Sequence, residues 1–146
     1  DLFPVGRLDI DTVGLLLISN DGEMAHRALS PKSHVEKTYY VETESKITNE
    51  DAEAFAEGVY IAGGTKTLPA KLEIISDKSA NLTICEGKFH QVKRMFEAVG
   101  KKVVYLKRIK MGELELDESL KTGEYREMTE EEINLLNTRT PEKEDR

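Results

Sequence analysis

Apolar and polar positions along the chain follow two periods, one typical of strands and the other of helices. VEKTYYVET (35–43), in which apolar and polar residues alternate and β-branched and Tyr residues are common, predicts a strand. KFHQVKRMFEAVG (88–100), in which apolar residues recur every three or four positions, predicts an amphipathic helix. In total the pattern predicts strands at 14–20, 35–43, 70–76, 80–87 and 102–112, helices at 21–30, 48–58, 88–100 and 129–136, and a glycine turn at 62–67.

Capping residues support three of the four predicted helices. Asp21 stands where a side-chain oxygen can accept from the first free N–H groups of the helix at 21–30. Thr48 with Asp51, and Thr129 with Glu132, have the spacing of a capping box at the start of the next and the last helix. The helix boundaries are therefore supported by local chemistry as well as by periodicity.

The order of these elements predicts an α+β fold, with a largely antiparallel mixed sheet flanked by helices. No repeat, low-complexity block or proline-rich linker divides the 146 residues. We therefore expect one domain at 1–137, followed by a polar tail at 138–146. The chain opens on DLFPVGRLD, without an initiator methionine or an apolar leader, and we expect it to be a fragment that lacks an N-terminal part.

Composition limits the class of protein. Hydrophobic residues make up 38% and charged residues 34%, and no apolar run approaches the roughly 20 residues that cross a bilayer. Cys85 is the one cysteine, which excludes an intrachain disulfide and favours a reducing compartment. We expect a cytoplasmic protein that does not bind a membrane.

The net charge of −7 conceals one strongly basic segment. Residues 1–87 carry 8 basic and 15 acidic side chains, 88–110 carry 8 and 1, and 111–146 carry 5 and 12. A concentrated positive segment in an acidic chain is typical of a surface that receives phosphates. A solvated helix face would account for the charge equally well.

Charged residues also precede the first apolar run. Arg7, Asp9 and Asp11 lie within five positions in GRLDIDTVGLLL (6–17). Burying these groups without partners would cost on the order of several kcal/mol each, so the chain must supply partners elsewhere.

The basic helix offers one such partner. On a helical wheel its core-facing stripe consists of Phe89, Val92, Met95, Phe96 and Val99. His90 and Lys93 lie on one flank of this stripe, and Gln91 and Arg94 on the other. Because Lys93 is at the border, its stem can pack on apolar surface while its ammonium reaches a carboxylate in the opening stretch.

Four segments resemble, in order and spacing, the RsuA-type branch of the RNA pseudouridine synthases, over residues 4 to about 137. In that family the aspartate of the GRLD motif is catalytic, which implies that role for Asp9. The resemblance further implies that Tyr39 packs on the uracil and that Lys93 pairs with Asp9. Arg7 matches the arginine that precedes this aspartate, and we expect it to hold a phosphate or to fill the space that the target uridine leaves when it flips out of its stack. The resemblance implies neither a metal nor an organic cofactor, and it leaves Asp11 a structural role. The segments are GRLDIDTVGLLLISNDG, EKTYYV, LPAKLEI and EGKFHQVKRMFEAVG.

The resemblance implies that the substrate is RNA, and KFHQVKRMF is closer to the enzymes that act on 16S rRNA than to those that act on 23S rRNA. We expect a monomer that modifies 16S rRNA, at uridine 516, in the free RNA or in a small-subunit assembly intermediate. Branch members commonly carry an N-terminal S4-like RNA-binding domain, which we expect this chain to lack. The expected RNA contacts are His90, Gln91, Arg94, Lys101, Lys102, Lys107, Arg108 and Lys110, besides Arg7.

Two other functions remain open from the sequence. LDIDTV also resembles the DxDxT signature of magnesium-dependent phosphatases with an aspartyl nucleophile, although such sites normally follow a wholly apolar strand. The second alternative is a catalytically inactive rRNA-binding module whose whole function is the basic segment. Retention of RNA affinity with loss of isomerisation in Asp9→Asn would separate an enzyme from a binding module.

Overall fold

The computed structural model describes residues 2–6, 8–10, 12–29, 35–88 and 90–137. The strands within these ranges are β1 (Phe3–Val5), β2 (Val13–Gly14), β3 (Leu17–Ser19), β4 (Lys37–Thr43), β5 (Tyr60–Ile61), β6 (Thr65–Lys66), β7 (Lys71–Ser76), β8 (Ser79–Ile84), β9 (Val103–Met111) and β10 (Leu114–Glu115). The helices are α1 (Gly22–Leu29), α2 (Asn49–Glu57), α3 (Gln91–Ala98) and α4 (Glu130–Asn137).

The main sheet has six strands. Five of them follow the order β10-β9-β4-β8-β7 with antiparallel pairing, and β2 pairs with β9 in parallel. The β1–β3 and β5–β6 pairs form two further small antiparallel sheets. The expected α+β fold with a largely antiparallel mixed sheet is therefore confirmed.

One face of the main sheet is covered by helices. Alternate side chains of a strand point to opposite faces, and on β4 Val41 points into the larger core cluster. The rings of Phe55 on α2 and Phe96 on α3 meet there edge to face, with centroids 5.1 Å apart. A second apolar cluster links the β1–β3 sheet to the end of β9 and to β10. It consists of Val5, Leu17, Met111 and Leu114.

Local capping chemistry is confirmed. The Met24 N–H donates to Asp21 Oδ1 at 3.0 Å, and both reciprocal bonds of the capping box between Thr48 and Asp51 are present. Thr129 and Glu132 form the second capping box in the same way. Each of these bonds satisfies an N–H group that the helix itself leaves free.

The prediction of one continuous buried strand at 14–20 is wrong. The segment forms β2 and β3 with a break at Leu15 and Leu16, and Leu16 and Ile18 are exposed. The first part pairs with β9 and the second with β1, so no single face of this segment is buried throughout. Phe89 and the predicted tail at 138–146 lie outside the described residues. Within the described ranges, no helix combines the length and apolar character that a membrane crossing needs.

Candidate active site

Asp9 lies on a tight turn that leads into the main sheet. The Thr12 N–H donates to the Asp9 carbonyl at 2.9 Å and closes the turn. Beyond β2 the Leu15 N–H donates to the Arg108 carbonyl, and Arg108 Nε donates to the Leu15 carbonyl, both at 2.8 Å. The carboxylate is 28% exposed, so solvent and a substrate can reach it while hydrogen bonds hold its backbone.

A glycine allows β2 to approach β9 closely. Gly14 has a φ of +114°, and a Cβ at this position would lie 2.2 Å from the Arg108 carbonyl oxygen. A larger residue would combine an unfavourable backbone conformation with a steric overlap. The close approach fixes how far the Asp9 turn stands from β9.

His90 faces the Asp9 carboxylate from the start of α3. Its Nε2 lies 3.8 Å from Asp9 Oδ1, and its side chain is 40% exposed. This separation exceeds hydrogen-bond length, so the contact is an ion pair when the imidazole is protonated. His90 has a left-handed backbone conformation, with φ 50° and ψ 38°, and is the one non-glycine residue with positive φ in the described part of the chain. Such conformations are uncommon outside Gly, Asn, Asp and His, and they cluster at functional sites.

Tyr39 reaches the same region from β4. Its Cα is paired with Arg108 of β9, and Arg108 is paired in turn with Gly14 of β2. Neighbouring strands lie about 4.8 Å apart, so Tyr39 and Gly14 are separated by roughly 10 Å. Tyr39 is partly buried and packs against the larger core cluster. Its expected contact with the uracil stays a prediction.

Lys93 and Arg94 are partly buried on α3, and each makes a polar or electrostatic contact. Lys93 follows His90 by three residues, so the two lie on the same side of the helix start. One ion pair of Asp9 is with His90, and the expected pair with Lys93 stays a prediction. Arg7 and Asp11 lie outside the described residues.

Arg108 is buried, which corrects the expectation that it contacts the RNA backbone. The residue is 2% exposed. Its Nε donates to the Leu15 carbonyl, whereas its Nη2 has no hydrogen-bond partner within the described part of the chain. Lys37 is buried as well, and burial, followed by the charge of Arg108, lowers the pKa of its ammonium, while Cys85 acts in the opposite direction. These two cations belong to the sheet interior rather than to an RNA surface.

Gln91 is also buried, which corrects its expected RNA contact. Its Nε2 donates to Glu86 Oε2 at 3.0 Å, and its Oε1 accepts from the Lys88 N–H at 2.9 Å. The buried Glu86 carboxylate accepts in addition from the Leu68 N–H at 2.6 Å and pairs with Lys88 Nζ at 3.1 Å. This polar network ties the loop before α3 to the helix and leaves Gln91 no free surface.

The remaining basic residues differ in how free they are to bind phosphate. Lys101 Nζ pairs with the buried Asp51 at 3.2 Å and donates to the Lys46 carbonyl, so it holds α2 in place. Lys102 is exposed. Lys107 and Lys110 form exposed ion pairs at 3.5 and 4.0 Å, contacts worth about 1 kcal/mol or less, so a phosphate could displace their partners. For Lys102, Lys107 and Lys110 the RNA contact stays a prediction. The partners of Lys107 and Lys110 are Glu118 and Glu113.

Comparison with known proteins decides the family. A family model described as RNA pseudouridylate synthase matches residues 1–98, which is more than half of the chain. The chain belongs to the RNA pseudouridylate synthase family. A crystal structure described as pseudouridylate synthase superposes on this member of the family with a TM-score of 0.90 and 52% sequence identity, over 92% of this chain and 59% of that one.

Two sequence relatives of this family member are informative. An RNA pseudouridine synthase of Bacillus subtilis, YtzG, described as uncharacterized, is 60% identical over 139 residues, or 92% of this chain and 58% of its own length. The ribosomal small subunit pseudouridine synthase A of Escherichia coli is 52% identical over 133 residues, or 90% of this chain and 58% of its own. This chain thus spans less than two thirds of the relatives that it matches.

Sequence reasoning missed several buried polar residues of this synthase family member. Lys37 occupies an inward-facing position of the alternating strand at 35–43. A charged residue at such a position could have indicated a buried charge. Glu86 and Thr12 are buried polar residues whose neighbours are distant in sequence. The left-handed backbone conformation of His90 could not be predicted from the sequence, which shows only that histidine tolerates this conformation better than most residues do.

Proposed function

We propose that this chain is the catalytic part of an enzyme that isomerises a uridine of 16S rRNA, uridine 516, to pseudouridine, with Asp9 as the essential residue. Membership of the family and 52% identity to a ribosomal small subunit pseudouridine synthase A support the reaction and the class of RNA. The observation that carries the proposal is the accessible Asp9 carboxylate, held on a hydrogen-bonded turn and faced by His90.

The reaction breaks the N1–C1′ bond of uridine, rotates the uracil, and joins its C5 to C1′. An ionised carboxylate next to the ribose can attack C1′ or remove a ribose proton. In either role Asp9 must stay deprotonated and keep one orientation. The turn fixes its backbone, and the imidazole of His90 limits where the carboxylate can point. Lys93, three residues further along the chain on α3, would supply a permanent positive charge near the carboxylate.

Tyr39 supplies a flat wall for the uracil in this proposal. Stacking of a base on an aromatic ring is worth roughly 1–3 kcal/mol, enough to retain the detached base during its rotation. The packing of Tyr39 against the core favours a fixed ring. After the new C5–C1′ bond forms, its hydroxyl would relay the C5 proton: the oxygen accepts the proton from C5 as the hydroxyl gives up its own, and N1, which lost its bond to C1′, gains a proton.

The RNA backbone is bound in this proposal by Arg94, Lys102, Lys107 and Lys110. Because these contacts replace counterions on phosphates, affinity falls steeply as salt increases. The enzyme acts as a monomer on 16S rRNA, either free or in a small-subunit assembly intermediate.

The test uses the full-length protein that contains this chain, incubated with unmodified 16S rRNA, with pseudouridine mapped at single-nucleotide resolution. The protein should form pseudouridine at one position, and Asp9→Asn should abolish it while leaving RNA affinity unchanged. Asp77→Asn is the matched control, because Asp77 is an exposed aspartate in the turn between β7 and β8, and it should stay fully active. Binding of RNA by the unaltered protein without any isomerisation would contradict the proposal and favour an RNA-binding module.

A further inference from the structure

An acidic stretch of chain runs directly beside the lysines of β9. β10 pairs antiparallel with β9, and beyond it the Leu116 N–H donates to the Ile109 carbonyl at 2.8 Å, one position further in the same register. Two positions further on, this register places Glu118 level with Lys107. We call residues 113–118 the acidic segment, because they include four carboxylates and no basic side chain.

Two carboxylates of the acidic segment pair with lysines that the proposed function assigns to RNA phosphates. Glu118 Oε1 lies 3.5 Å from Lys107 Nζ, and Glu113 Oε2 lies 4.0 Å from Lys110 Nζ. The glutamate side chains are 76% and 59% exposed, so both pairs are open to a competing anion. A carboxylate beside an ammonium cancels part of the attraction that a phosphate would feel there. RNA must therefore displace the glutamates before it gains the full charge of these lysines.

The acidic segment is anchored on both sides of its centre. Leu114 is buried in the second apolar cluster. Asp117 Oδ2 accepts from Arg126 Nε at 2.7 Å, and the same guanidinium pairs with Glu132 in the first turn of α4. Groups that are tethered close to a partner compete with free ligands at a high effective concentration. The anchors thus make the two exposed glutamates efficient competitors for the lysines.

Lys107 and Lys110 lie on the face of the sheet opposite to Tyr39. Their Cα partners on β4 are Tyr40 and Thr38, the two neighbours of Tyr39, and alternate residues of a strand point to opposite faces. These lysines would therefore meet RNA that flanks the target uridine rather than the uridine itself. A change in their charge should alter RNA affinity and leave the chemical step unchanged.

We propose that the acidic segment is a built-in competitor of RNA, in which Glu118 and Glu113 pair with Lys107 and Lys110 and weaken the binding of RNA phosphates there. The inference rests on the proposed function, which assigns these lysines to the RNA backbone. Substrate and product have the same phosphate backbone, so the competition weakens the binding of both. The acidic segment thereby favours release of the modified RNA.

The first experiment measures the affinity of the full-length protein for two RNAs, oligoadenylate, which contains no uridine, and a 16S rRNA fragment that contains the target. Glu113→Gln combined with Glu118→Gln should tighten binding of both about fivefold at low salt, because both lysines become free to hold phosphates. The difference should disappear at 1 M salt, where charges are screened beyond about 3 Å. The single-turnover rate constant at saturating enzyme should stay the same.

Glu53→Gln combined with Glu57→Gln is the matched control, because both are exposed glutamates of α2 and their replacement changes the net charge by the same amount. This variant should keep its RNA affinity within about twofold of the original. An equal gain in the two double variants would show that net charge alone raises affinity and would overturn the proposal. Unchanged affinity in the variant of the acidic segment would overturn it as well.

A second measurement tests the pairing itself through a double-mutant cycle. Lys107→Met should weaken oligoadenylate binding more in a Glu118→Gln background, where the ammonium is free, than in the original protein, where the carboxylate already neutralises it. The same loss in both backgrounds, or no loss in either, would contradict competition at this lysine. Absence of pseudouridine formation by the unaltered protein would instead contradict the proposed function, whatever the cycle shows.

Discussion

His90 Nε2 lies 3.8 Å from Asp9 Oδ1, across the gap between the start of α3 and the turn that carries the carboxylate. His90 has a left-handed backbone conformation at this point, with φ 50°. The contact joins two segments that are 81 positions apart in sequence. The position of α3 therefore bears directly on the orientation of the candidate catalytic group.

We predict that His90→Asn lowers turnover several-fold with little change in KM. Asparagine tolerates the left-handed backbone but is shorter and cannot pair with the carboxylate, so Asp9 loses one orienting contact. A half-exposed pair of this kind is worth up to about 1 kcal/mol, which corresponds to roughly fivefold in rate. Steady-state pseudouridine formation measures both constants. His26→Asn, on the exposed surface of α1, should be unaffected, and an unchanged turnover in His90→Asn would remove the positioning role.

We predict that Gly14→Ala destabilises the fold more than Gly63→Ala does. Both glycines have positive φ, so both substitutions incur backbone strain of about 1–3 kcal/mol. Only at Gly14 would the new Cβ overlap the Arg108 carbonyl, which should cost about 1–3 kcal/mol more. Urea denaturation measures the difference, and the pseudouridine assay should show loss of activity for Gly14→Ala alone. Equal free energies of unfolding for the two variants would mean that β2 can shift away from β9 at little cost, and would contradict the prediction.

We predict that Arg108→Met leaves the free energy of unfolding within about 1 kcal/mol of the original value. The lost bond from Nε contributes about 1.5–3 kcal/mol, and removal of the buried Nη2, which has no hydrogen-bond partner among the described residues, returns about 1–3 kcal/mol. Arg108→Ala should lose about 3 kcal/mol or more, because it also leaves a cavity. Chemical denaturation checks both values.

The salt dependence of RNA binding provides a second check on Arg108. Because the side chain is buried, Arg108→Met should leave the slope of log affinity against log salt unchanged. Lys102→Met, at an exposed position, should reduce the slope by about one if Lys102 contacts a phosphate. A reduced slope in Arg108→Met would restore Arg108 as an RNA contact.

We predict an acid-sensitive contribution of Glu132 to stability. Hydrogen bonds from Arg126 and Thr129 lower the pKa of Glu132 from 4.5 to about 2. Because the pKa is lower in the folded state, this contribution is complete above the unfolded value of 4.5 and is lost as pH falls through about 2. The urea midpoints of the original protein and Glu132→Gln should therefore differ near neutral pH and converge as pH falls through this range. Glu131→Gln, in the same exposed helical turn, should show a smaller and nearly pH-independent difference.

Elements determined by neighbouring residues could be predicted from the sequence, as the two capping boxes and the helices α2 and α4 show. Elements that depend on distant partners could not. The two-residue β2 exists because β9 lies beside it, and a short apolar run does not reveal such a partner.

The same distinction applies to the candidate site. Asp9 and Tyr39 stand in recognisable segments, and the structure brings β2, which follows the Asp9 turn, and β4, which carries Tyr39, to opposite sides of β9. Gln91 and Arg108 were misassigned because a polar residue on a basic, amphipathic element is expected to be exposed. Their burial depends on the Glu86 network and on the Leu15 carbonyl, which come from other parts of the chain.

Parallel pairing with β9 holds β2 in place, so the number of residues between Asp9 and Gly14 determines where the Asp9 carboxylate lies relative to the sheet. The turn closed by the Thr12 N–H and the Asp9 carbonyl occupies most of this spacer, so inserting or deleting a residue would break that bond and move the carboxylate relative to β2. Substitutions in this spacer can be absorbed by side-chain repacking, whereas a change in its length cannot.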